Sequence, residues 1–101
     1  MDKKTIMRLA IADALEKVLE KTESLQDVSV QQIIEKCGLS RPTFYRYFSE
    51  KYDVVNWSYT YHVEELSGLY AASAARADDD AFLHFVQFFY DKRNYFSKVI
   101  N

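Results

Sequence analysis

The chain is predicted to be all-α, a short three-helix bundle followed by two long helices. Three observations predict it. Two glycines and one proline in 101 residues leave little room for the turns of a sheet protein. Apolar residues recur at helical spacing rather than in strict alternation. The stretch from Ser29 to Lys51, SVQQIIEKCGLSRPTFYRYFSEK, carries capping signals on both sides of Gly38.

The first helix is predicted from near Lys3 to about Lys21. Met7, Ala10, Ile11, Ala14, Leu15, Val18 and Leu19 follow one another at i, i+3, i+4, i+7, i+8, i+11 and i+12, with charged residues between them. Thr22 to Asp27 is polar except for Leu25 and reads as a connection. Ser29 is the expected cap of the second helix. Gln32 completes an S-x-x-Q capping box, and Val28 and Ile33 stand where a hydrophobic staple closes. Within this helix Val30, Ile33, Ile34 and Cys37 form a single apolar stripe. Gly38 suits the left-handed position that ends it, and Leu39 follows as a buried bridge. Ser40 then caps the third helix, with Pro42 in a first turn where its missing amide has no intrahelical partner.

On a wheel of about 100° per residue, Phe44 and Phe48 share the inner face of the third helix, with Pro42, Thr43 and Arg46 opposite. Tyr45 and Tyr47 flank that outer face, and Arg41 lies beside it at the helix start. An arginine opposite two anchoring phenylalanines must point away from the core. The surface is small near the amino terminus and then basic and aromatic, a form that suits a major groove. Thr43 lets the backbone approach, Arg46 forks onto a guanine edge or a phosphate, and tyrosine hydroxyls reach phosphate oxygens. Ser49 is expected to cap the next helix, with Lys51 placing an ammonium beside free amides in its first turn. Two capped helices around a tight glycine turn are the form of a helix-turn-helix. The helix-1 stripe, Leu25, Val28, Ile33, Ile34, Leu39, Phe44 and Phe48 are its expected core, in a homeodomain-like arrangement.

Beyond Ser49, a long helix is predicted from Glu50 to about Arg76, with Tyr52, Val55, Tyr59, Leu66 and Leu69 toward the bundle and Gly68 as a local weak point. Asp78 to Asp80 read as the cap and acidic first turn of a last long helix, AFLHFVQFFYDKRNYFSKVI. Phe82, Phe85, Val86, Phe88, Phe89, Tyr90, Tyr95, Phe96 and Val99 occupy more than one face of it, so one neighbouring helix does not suffice to bury them. Aromatics at helical spacing read as core, and no effector contacts are assigned to them. Asp80 and His84 stand at i and i+4, but no second pair accompanies them, so no metal site is assigned.

The run SVQQIIEKCGLSRPTFYRYFSEKYDVV resembles the DNA-binding domain of TetR/AcrR-type transcriptional regulators. That pattern has a capped helix, Gly-hydrophobic-Ser, a small-Thr-aromatic-Tyr stretch, a Phe, and a Lys opening the next helix. The resemblance covers roughly the first half of the chain. It implies a DNA-binding domain over 1–48, and over 49–101 a connecting helix and part of a carboxy-terminal effector and dimerisation domain. It also implies operator contacts from Arg41, Pro42, Thr43, Tyr45, Arg46, Tyr47 and Lys51, with Gln31 touching a phosphate; Ser40 joins the candidate DNA-binding set at the helix start. Two positions depart from the pattern: Arg46 stands where members often carry an aromatic, and Tyr47 where many carry histidine. The base preference therefore does not transfer. Members run well past the length of this chain, so the resemblance implies either a fragment, whose effector pocket is then incomplete or absent, or a chain whose last two helices assemble with another copy; the fragment is the favoured expectation.

The expected partners are double-stranded DNA, a second copy of the chain and, in a longer form, a small-molecule effector. The net charge of −2 does not oppose this, because Lys36, Arg41, Arg46 and Lys51 face Glu50 alone between positions 36 and 51. No cofactor, metal site or enzymatic activity is expected, since the chain has two histidines, no Gly-rich phosphate loop and no nucleophile elbow. Cys37, the single cysteine, is expected to be a buried structural thiol. The amino terminus lacks a signal-peptide pattern and no run reaches membrane-spanning length, so a cytoplasmic location is expected. The alternative reading is a helical protein-interaction module that docks through its aromatic last helix.

Overall fold

The computed structural model describes residues 1–75 and 80–100, excepting the side chains of 69–75, 80–82, 84, 85 and 100. Its described residues form helices and their connections, without strands. Helix α1 (Lys3–Glu20) leads through a 3₁₀ turn at Leu25–Asp27 to α2 (Val30–Cys37) and α3 (Arg41–Tyr47), after which come α4 (Lys51–Ala75), α5 (Asp80–Asp91) and α6 (Arg93–Ile100).

The local signals act as expected through the amino-terminal half. Ser29 Oγ accepts the Gln32 amide at 3.1 Å, and Gln32 Oε1 accepts the Ser29 amide at 2.8 Å, closing the capping box. Gly38 is left-handed at φ 72°, and the Leu39 amide returns to the Ile34 carbonyl at 3.0 Å. A side chain at that φ would be strained. Ser40 Oγ accepts the Thr43 amide at 3.3 Å, Pro42 sits in the first turn, and the backbone is extended again at Phe48. Ser49, expected as the cap of α4, instead donates its hydroxyl to the Asp53 carboxylate.

The core joins Ile11, Ala12, Ala14, Leu15 and Leu19 of α1 to Leu25, Val28, Ile33, Ile34, Phe44 and Phe48, and is completed by Val54 and Val55 of α4. Several expected members sit differently. Ala10 is exposed, Met7, Val18 and Leu39 are half-buried, and Ala12 is buried in their stead. The reason is the flank on which α4 packs: Ala12 lies about 100° from Ile11 on the wheel, in the seam where α1 meets Ser58 and His62. Along α4, Val55 is buried as predicted, with Val54 beside it, whereas Tyr52 and Tyr59 are exposed; Leu66 is half-buried and the Leu69 side chain lies outside the described residues. Cys37 is half-buried rather than buried, and partial burial pushes its thiol up, which keeps it protonated.

The expected last helix is divided at Lys92 into α5 and α6. The polar run Asp91–Asn94 interrupts the apolar sequence there, Lys92 turns back to pair with Glu16 of α1, and Arg93 donates to the Tyr90 carbonyl at 2.9 Å. Lys98 Nζ donates to the Leu19 and Glu20 carbonyls at 3.0 and 3.2 Å, supplying partners and a favourable charge to the end of α1. Rings connect the two halves: Phe48 meets Trp57 edge-on, Trp57 stacks on Tyr61, and His62 contacts Phe88. Between them, Glu16, His62, Lys92 and Tyr95 border a cavity of about 20 Å³, room for a single water. Burial, with Glu16 nearby, pushes the Tyr95 phenol up to about 12, so it stays neutral. The predicted cap at Asp78 and Asp79 lies outside the described residues, as do the side chains of Asp80, Phe82, His84 and Phe85. Among the described residues no helix is long and apolar enough to cross a membrane, and no cluster of three His, Cys, Asp or Glu side chains is placed to hold a metal.

Candidate nucleic-acid interface

The seven residues of α3 are held from one side. Phe44 is fully buried, Phe48 nearly so, and their rings lie 6.1 Å apart. Phe44 within the helix and Phe48 at its carboxy-terminal cap, where the backbone is already extended, together fix the axis and the rotation of so short a helix. The opposite surface is thereby set: Arg41, Pro42, Tyr45 and Arg46 are exposed and Thr43 is half-buried. Arg46 has no hydrogen-bond or ion-pair partner among the described residues, so its guanidinium is uncommitted. Tyr45 is 49% exposed, and its ring is braced edge-on against Phe44 with centroids 5.2 Å apart. The Ser40 and Thr43 hydroxyls are 2.9 Å apart and satisfy one another at the helix start.

Tyr47 is placed differently from the sequence expectation. It is half-buried and packs against the core rather than flanking the outer face. Its position lies only about 60° from Phe44 on the wheel, closer to the anchor than to Arg46.

Lys51 also turns elsewhere. Its ammonium donates to the Gln26 carbonyl at 3.1 Å and to the Val28 carbonyl at 2.6 Å, instead of lying over the free amides of its own helix. Two of its three protons therefore tie the start of α4 to the connection that precedes α2. Lys51→Met is expected to lower stability by about 1–2 kcal/mol, read as a fall in the urea midpoint; an unchanged midpoint would show that the tie contributes nothing.

Gln31, on the first turn of α2, is brought to the interface by a contact that spacing does not reveal. Its Oε1 accepts from Arg41 at 2.9 Å, while its Nε2 donates to Glu35 at 2.8 Å. The candidate residues thus fall into an exposed group on α3, a Gln31–Arg41 pair bridging α2 and α3, and two, Tyr47 and Lys51, that also serve packing. Glu35 is the participant that sequence reasoning missed; the only trace of it was the i, i+4 spacing from Gln31.

A helix pair with a left-handed glycine between, the second helix anchored by one face and presenting a polar basic one, defines a helix-turn-helix DNA-binding domain. Residues 17–56, from the end of α1 into α4, match the family model of bacterial regulatory proteins of the tetR family. Over those residues the chain is similar to the DNA-binding domain of that family of transcription regulators. Searches among curated proteins and among solved structures give no significant match.

Proposed function

We propose that the protein is a transcriptional repressor that reads a palindromic operator as a homodimer, each copy placing α3 in a major groove. Residues 1–48 form the reading head. Residues 49–101 connect it to the part that pairs two copies and, in a longer form, takes a small-molecule effector. The observation that carries this reading is the exposed surface of Arg41, Pro42, Tyr45 and Arg46 set against the buried Phe44 and Phe48. Arg46, Thr43 and Arg41 read bases; Gln31, Ser40, Tyr45, Tyr47 and Lys51 contribute to positioning on the backbone. Half-sites would be separated by about one helical turn, ~34–36 Å, or a multiple of it. The reading is non-enzymatic, and the location that goes with it is the cytoplasm.

Selection from a random duplex library, followed by titration of the selected duplex at several salt concentrations, tests this. The expected outcome is a two-fold symmetric consensus and an affinity that falls linearly with salt on logarithmic axes. Leu83, Val86 and Tyr90 are 61%, 48% and 59% exposed at i, i+3 and i+7 along α5, which favours a second reading as a protein-docking module. In that case neither consensus nor salt-dependent binding is obtained.

A further inference from the structure

We infer that Glu35 is a positioning residue for DNA recognition, acting through Gln31 to set the Arg41 guanidinium at the head of α3. The inference rests on the DNA-binding reading above and names a residue that does not itself touch DNA.

The chemistry of the three side chains dictates their order. Ionised Glu35 only accepts hydrogen bonds and Arg41 only donates them, whereas the Gln31 carboxamide does both. With Glu35 one turn along α2, the Gln31 amide nitrogen must face it, at 2.8 Å, and this leaves the carboxamide oxygen toward Arg41, at 2.9 Å. All three side chains are exposed, so burial does not hold them; without Glu35, the Gln31 amide nitrogen loses its tether and only the Arg41 contact itself orients the carboxamide, so the pair is less ordered. An ordered arginine gives up less conformational freedom when it binds, which strengthens the contact that it makes. A carboxylate here also repels phosphates, so removing it has an electrostatic effect that must be separated from the positioning one.

Glu35→Gln and Glu35→Met make that separation. Both are neutral, of similar length and of similar helix propensity, and only glutamine keeps an acceptor for the Gln31 amide. On the selected duplex at low salt, Glu35→Met is expected to bind about three- to ten-fold more weakly than Glu35→Gln. The gap is expected to close when both are made in an Arg41→Ala background, as a double-mutant cycle requires of an effect that passes through Arg41. Equal binding by the two variants, or a gap that persists without Arg41, overturns the inference. A parent protein that selects no duplex overturns the DNA-binding reading and this inference with it, so the two failures are distinguishable. Equal helix content and unfolding midpoints of the two variants accompany the expected result, because residue 35 is exposed.

Discussion

Arg46→Ala is expected to weaken binding to the selected operator by about 1–3 kcal/mol, roughly five- to 150-fold, and to relax base preference at one position in each half-site. The expectation follows from what Arg46 does not do in the free protein. It is exposed and uncommitted among the described residues, on the side of α3 opposite Phe44, so its removal leaves no cavity and breaks no internal bond. The unfolding midpoint should therefore stay where it is. A phosphate contact would give a different signature, with all duplexes losing affinity equally and the salt slope falling by about one. Parallel selections with the parent and the variant tell the two apart.

Phe44→Ala is expected to cost about 3–5 kcal/mol of folding stability. Its ring is fully buried in the core and contacts both Tyr45 and Phe48. Small domains have only about 5–15 kcal/mol in total, so the loss is a large share of what holds the head together. DNA binding should fall with it, since the ring that fills the core is also the one that sets the rotation of α3. Phe44→Leu keeps most of the apolar volume and should lose markedly less. Urea unfolding of both variants gives the comparison, and a cost below about 1 kcal/mol for the alanine variant would mean that α3 is held by something other than this anchor.

The helix-turn-helix was legible because its signals are local. The Ser29–Gln32 box, left-handed Gly38 and the Ser40 cap each depend on residues within four positions, and each forms as the spacing implies. The exposed set on α3 was legible for a related reason, since two anchoring rings leave one direction for the remainder. What escaped was set by contacts between distant segments. Ala12 replaces Ala10 in the core because α4 lies on one flank of α1. Tyr47 lies close enough to Phe44 around the helix to be drawn into packing. Lys51 finds carbonyls more than twenty positions earlier in the chain, and Lys98 finds the end of α1. Glu35 was missed because its importance lies in ordering another residue, which no motif records. The division of the last helix at Lys92 belongs to the same class, a lysine drawn back to Glu16 across the fold.

The account turns on α3 entering the major groove, and methylation interference on the selected operator tests that most directly. Methyl groups at guanine N7 project into the major groove and those at adenine N3 into the minor groove. The expected result is that N7 methylation within each half-site blocks binding by the parent protein, with one of those guanines becoming tolerant in Arg46→Ala, while N3 methylation there has little effect. Interference confined to adenine N3 would contradict the placement of this face on DNA, and an Arg46→Ala pattern identical to the parent's would contradict base reading by Arg46.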